Sequence, residues 1–187
     1  MLVTRTAWFN CHAGVAGDMA MAALVDAGAD IDTIADTIAG LGVDGYAIFF
    51  ERVQRCGVGA TWANIVTHDE LHAHDREHSE DAAPHVHRPA SEIFALLDAA
   101  DLPDRVRARA RTVFERLAAV EGAIHGIDPA DVELHEVGAL DSIIDVVGVC
   151  AALESLGIER VVCSSIGLGS GIVQTAHGAL PHPAPAT

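Results

Sequence analysis

The sequence predicts an α+β fold, and three observations carry that reading. Apolar residues recur at helical spacing in several segments, two strand-like runs flank a Cys56-Gly57 turn, and short extended runs stand near both ends. The coarse order is β-α-α-β-β-α-α-α-β. Reduced to its core it is β-α-β-β-α-β, the order of a ferredoxin-like sandwich with additional helices. The 187 residues suit a single domain, expected to span 1–187. Half of them are hydrophobic and only 4% aromatic, so the core must be built from Ala, Val, Ile and Leu.

The elements follow in order. Ala7–Asn10 reads as a strand that enters the turn-like loop Cys11–Gly17. Asp18 is placed to cap a helix over Met19–Ala27, stopped by Gly28. Asp30 can cap the next helix, whose Ile31, Ile34, Ile38 and Leu41 share a face. Tyr46–Arg55 and Val58–Val66 form a hairpin across Cys56-Gly57. The polar stretch of about 67–89 breaks the pattern and is expected to be a flexible His-rich loop. Helices resume with Ser91 as a candidate cap and again after Pro103. In the second of these, Val106, Ala110, Val113, Leu117, Val120 and Ile124 are expected to form the buried face. Gly126 and Pro129 end it. Val132–Val137 reads as extended, Asp141–Leu156 as a helix and Glu159–Ile166 as the last strand. A glycine run, Gly167 to Gly171, and a Pro-rich tail complete the chain.

Charge narrows the function classes. With 27 Asp and Glu against 11 Arg and no Lys, the formal net charge is −16. Such a chain repels phosphate backbones, so no nucleic-acid partner is expected, and it attracts cations. No apolar run is long enough to span a bilayer, and the N-terminus lacks the apolar core of a signal peptide. Cys11, Cys56, Cys150 and Cys163 are far apart without a CxxC pair, which argues for reduced thiols in the cytoplasm and against a thiolate zinc knuckle.

The remaining polar residues point to a divalent transition metal. His68, His72, His74, His78, His85 and His87 are interleaved with acidic residues. Imidazole suits nickel, zinc and copper, and carboxylates add charge. Without a metal the same tract would be an ordinary solvated acidic loop. His85 and His87 alternate, so an extended backbone turns both to one side, and Arg88 adds a planar donor fork for phosphate or carboxylate. Glu133 and His135 share a side of the next extended segment, and Asp141 and Asp145 share a helix face. Together they suggest a metal or metal-phosphate site, whereas the Asp pair alone would read as a wet helix face. Glu121 and His125, also spaced i, i+4, read as a hydrogen-bonded pair. The loop before Asp18 lacks the Lys-Ser/Thr of a phosphate-binding P-loop. Gly169 and Gly171 open no helix but allow close backbone approach to a ligand, and His177 follows them. No nucleophile elbow is present. The residues alone leave three functions open: metal insertion, metal storage or delivery without catalysis, and metal-dependent phosphate ester hydrolysis by His135, Asp141 and Asp145.

Four motifs resemble the LarC family, nickel insertion proteins for the nickel-pincer nucleotide cofactor. They are Gly14-Val15-Ala16-Gly17-Asp18-Met19, His85-Val86-His87-Arg88, the run from His135 to Asp145, and the run from His177 to Thr187. The chain has Asn10-Cys11-His12-Ala13-Gly14 where the family has Asp-Cys-Phe-Ser-Gly, and Asn10 and Ala13 remove a carboxylate and a hydroxyl from that loop. The resemblance implies a lyase-class, CTP-dependent cyclometallase. It puts nickel into pyridinium-3,5-bisthiocarboxylic acid mononucleotide through one carbon–nickel and two sulfur–nickel bonds, hydrolysing CTP to CMP and pyrophosphate with Mg²⁺ or Mn²⁺. It also implies that this chain is the N-terminal, metal-handling part. The CTP site is then expected in a C-terminal part outside it, and the partners are that part or a longer form of the same protein, in a homo-oligomer. Under this reading His135, Asp141, Asp145 and Asp18 are the candidate catalytic residues. His85, His87, His135 and the loop residues His68, His72, His74 and His78 are candidate nickel ligands. Arg88, Gly169, Gly171 and His177 are candidates for substrate or phosphate contact.

Overall fold

The structure is a computed structural model and describes residues 4–67, 88–134, 139–175 and 178–183. Strand β1 (Thr6–Phe9) leads into helix α1 (Gly17–Asp26), and α2 (Ile31–Ala39) follows. The hairpin is β2 (Tyr46–Arg55) and β3 (Val58–Thr67). Then come β4 (Arg88–Pro89), α3 (Ala90–Ala99), α4 (Asp104–His125), a short 3₁₀ turn (Pro129–Asp131) and β5 (Glu133–Leu134). Helix α5 (Leu140–Ser155), β6 (Arg160–Cys163) and a second hairpin, β7 (Gly171–Thr175) and β8 (Gly178–His182), complete the described chain.

The α+β class holds, but the described strands do not form one ferredoxin-like sheet. They form four separate pairs: β1 with β6 in parallel, and β2–β3, β4–β5 and β7–β8 antiparallel. The reason is what the first hairpin packs on. Its free groups bind α1 rather than a neighbouring strand: Asp26 accepts from the Thr61 backbone N–H at 2.8 Å and from its hydroxyl at 2.9 Å, and Arg52 adds an ion pair. The Asp26 carboxyl is held below its ordinary range, first by the Thr61 hydroxyl. The hairpin turn is as expected, with Cys56 at φ 50° and Gly57 at φ 82°, the paired positive values of a type I′ turn.

Helix α5 is the centre of the molecule. Ile143, Ile144, Val147, Gly148, Ala151 and Ala152 are buried there against α1, α2 and α4. At Gly148 an added Cβ would stand 2.4 Å from the Met21 sulfur, so α1 and α5 cross closely only because that position has no side chain. Helix α2 is capped as expected by the Asp30 carboxylate, which accepts from the Thr33 N–H at 3.3 Å.

Three local expectations are corrected. Ser91 does not cap α3, which starts at Ala90; the Ala90 N–H bonds the Val132 carbonyl at 2.9 Å instead. On α4 the buried stripe is Val106, Ala110, Phe114, Ala118 and Gly122, an i, i+4 row, whereas Val113, Val120 and Ile124 are exposed. Small residues on that row let α3 and α5 approach, and α4 turns it inward rather than the larger row. Glu159–Ile166 is not the last strand, since β7 and β8 follow a shorter β6. The stop of α4 is as read: Gly126 is left-handed at φ 71°, and its N–H bonds the Gly122 carbonyl at 2.8 Å. All four cysteines are free thiols, and no helix among the described residues is long and apolar enough to cross a membrane.

Candidate functional site

Parallel strands carry their functional loops at their carboxyl ends. Here those ends are Asn10–Ala16 after β1 and Ser164–Gly169 after β6. The Cys11 N–H bonds the Ser164 hydroxyl at 2.8 Å, and the Gly167 N–H bonds the Cys11 carbonyl at 2.8 Å. A Cβ on Gly167 would stand 2.1 Å from the His12 carbonyl oxygen, so the glycine serves the approach of one loop to the other.

This stitched pair of loops delivers α1 to α5. Asp18 does not cap its own helix; it lies in the first turn of α1, and the flanking Ala16 makes no side-chain cap. The Asp145 side chain instead reaches the start of α1 from the neighbouring helix, close enough for the Asp18 backbone N–H to favour its carboxylate form. Gly17 makes the contact possible, because a Cβ there would stand 2.5 Å from the Asp145 Cβ.

The arrangement costs Asp145 its hydration. Burial first, then the charges of Asp18 and Asp141, push its carboxyl up to about 6 from an ordinary 3.8, against the lowering effect of the Asp18 N–H. Its Oδ1 is buried without a hydrogen-bond partner. Asp141 is partly engaged, accepting from the Ser142 N–H at 2.7 Å. So Asp18, Asp141 and Asp145, grouped as candidate catalytic carboxylates through the family resemblance, are brought within electrostatic reach, whereas spacing alone paired only Asp141 with Asp145. Among the described residues no three His, Cys, Asp or Glu side chains converge as a complete metal-holding group. The carboxylates are charge-coupled but do not form a ligand shell by themselves.

The second half of the candidate site is a short ladder. Arg88 pairs with Leu134 and Pro89 with Glu133. The ladder joins two motifs far apart in sequence. The residues next to the Arg88–Leu134 pair in the two sequence segments are His87 and His135. His68, His72, His74, His78, His85, His87, His135 and His177 themselves lie outside the described residues. Gly169 abuts the His182 ring, with a Cβ position 2.7 Å from its Cδ2, while Gly171 has φ 132° and open space around it. Glu121 and His125 form the expected i, i+4 contact, at 3.4 Å.

One feature had no clear signal in the sequence. A groove of about 740 Å³ runs beside Asp145, between α1, α4, α5 and β6, and is walled mainly by valine and alanine. Its thiol, Cys150, is pushed up to about 11 by burial, which makes it an inert wall rather than a nucleophile.

The family model for nickel insertion proteins matches residues 7–187. The chain belongs to this family. It is 42% identical over 185 residues to a putative nickel insertion protein of Synechococcus elongatus, covering 98% of this chain and 43% of that protein. It is 40% identical over 185 residues to the pyridinium-3,5-bisthiocarboxylic acid mononucleotide nickel insertion protein of Staphylococcus saprophyticus, covering 99% of this chain and 44% of that one. A putative nickel insertion protein of a Geobacter species is 41% identical over 183 residues, with 98% and 44% covered. This nickel insertion family member therefore spans less than half the length of these relatives. No solved structure matches it.

Proposed function

We propose that this chain is the N-terminal, metal-handling part of an enzyme that inserts nickel into pyridinium-3,5-bisthiocarboxylic acid mononucleotide. Nickel is the substrate metal. The observation that supports the reading, beyond family membership, is the β4–β5 pairing of Arg88 with Leu134, residues that stand next to His87 and His135 in the sequence. In this reading the His-rich segment 67–89 raises the local nickel concentration, and His85, His87 and His135 pass the ion to the substrate. Arg88 binds a phosphate or carboxylate of the mononucleotide, with Gly169, Gly171 and His177 lining its approach.

Asp18, Asp141 and Asp145 are assigned the catalytic carboxylate role, holding a hard cation or positioning His135. The Asp145 Oδ1, buried without a hydrogen-bond partner, is an available oxygen donor of the hard type that Mg²⁺ or Mn²⁺ takes, with water and substrate oxygens completing the shell. Bound there, the cation would offset two of the three carboxylate charges and supply Lewis acidity. CTP, hydrolysed to CMP and pyrophosphate, binds outside this chain, in the region that the longer relatives possess. The reaction is of lyase class, the location cytoplasmic and the assembly homo-oligomeric.

The test is nickel incorporation into the mononucleotide with CTP and Mg²⁺, using this chain grafted in place of the matched part of the Synechococcus elongatus protein. His135→Ala is expected to abolish incorporation and His74→Ala to leave most of it. Equal effects would sink the division of roles. Nickel binding without incorporation would favour a storage protein, and nickel-free hydrolysis of simple phosphate esters would favour a phosphohydrolase.

A further inference from the structure

A two-stranded parallel sheet is an unusual thing to leave open, because parallel strands are ordinarily covered and flanked. Here β1 and β6 pair only with each other among the described residues. The Ser164 N–H bonds the Phe9 carbonyl at 2.9 Å and the Arg160 N–H bonds the Arg5 carbonyl at 3.3 Å. With Ala7 opposite Val161, this sets the alternation. Arg160 and Val162 turn their backbone groups toward β1, and Val161 and Cys163 turn theirs to the outer edge.

That outer edge borders the groove beside Asp145, since Val161 lines the groove and no β1 residue does. Ala7, the cross-strand partner of Val161 on the same sheet face, packs against the core. Val161 itself stays 51% exposed because the floor beside it, Val146 and Val149 of α5, lacks a cover. Across the groove Val113 is 37% exposed, and the same row of α4 continues outward through Val120 at 44% and Ile124 at 48%. Arg109, the groove's cation, is engaged by Glu154 at 3.3 Å and the Ile158 carbonyl at 2.6 Å, so it offers little to an anionic ligand. An unpaired strand edge beside an apolar trough has the form of a strand-addition site.

We propose that the outer edge of β6 and this groove dock an extended segment of the region that the longer relatives possess outside the part matched by this chain. The segment adds to β6 as a third strand and covers Val146, Val149 and Val113. One fact selects this occupant: the matched part is only 43% of the Synechococcus elongatus protein, so most of that protein lies outside it and has to pack against or beside it. The proposal rests on the reading of this chain as one part of a longer enzyme.

Amide hydrogen exchange tests it, comparing this chain alone with the intact-length graft described above. In the chain alone the Val161 and Cys163 amides should exchange quickly and the Val162 amide slowly. In the graft, Val161 and Cys163 should slow by on the order of 100-fold. Val161→Pro removes an outward N–H without touching the β1 ladder, and in the graft it should return Cys163 to fast exchange. Val113→Glu, on an exposed helix surface, should do the same without threatening the fold. Val58→Glu, at the hairpin tip outside the groove, should leave the protection intact. Equal exchange in chain and graft overturns the proposal. So does protection in the chain alone accompanied by sedimentation as a dimer, which would assign the edge to a second copy. Nickel incorporation by a graft without edge protection would defeat the docking alone, and edge protection without incorporation would defeat the functional reading alone.

Discussion

Asp145 is the residue on which stability and function compete. Its carboxyl stands near 6 in the fold and near 3.8 when unfolded, so between those values the folded chain keeps a proton that the unfolded chain has lost. Ionising it therefore costs stability: nothing below about pH 3.8, and the full amount above about pH 6. Asp145→Asn should stabilise the protein at pH 7.5 by about 1–2 kcal/mol, discounted for a half-solvated group, and the gain should vanish below pH 4. Urea melts of both proteins at the two pH values check this. The same substitution should abolish any rise in melting temperature produced by millimolar Mg²⁺ or Mn²⁺ in the parent. A rise that survives it would remove the cation from this site. Asp141 and Asp145 could be read as a pair from their i, i+4 spacing. That Asp18 joins them came from the family resemblance and not from spacing, because it depends on where the crossing of two helices puts an N-terminus.

At the level of elements, glycines set the distances. Gly17 lets α1 meet Asp145, Gly148 lets it cross α5 at Met21, and Gly167 lets two loops touch. Gly17→Ala should destabilise by about 1–3 kcal/mol, since neither Asp145 nor the helix backbone can withdraw freely. If its melt matches the parent, the close approach is not a constraint. Gly126→Ala at the left-handed end of α4 should cost about 1 kcal/mol, read in the same way. The stop of α4 and the type I′ hairpin were legible because each depends on one or two residues. The buried face of α4 was not. Two apolar rows run along that helix, and only its neighbours decide which one turns inward.

For the whole molecule, the acidic excess is a property of every surface at once. With a formal charge of −16, self-repulsion should be relieved by screening, so raising NaCl from about 20 to 300 mM should raise the melting temperature. A fall would place the balance of charge in attractive pairs such as Arg109–Glu154 instead. The sequence by itself determined the α+β class, most element positions and the family, since these follow from periodicity, turn residues and motifs that are local or linear. Only the tertiary structure decided that the described strands pair two by two, that Arg88 and Leu134 meet in a short ladder, and that Asp145 is carried to the start of α1. Each of these joins groups far apart in the chain. No local preference encodes such a meeting, which is selected by the packing of α1, α4 and α5 as a unit.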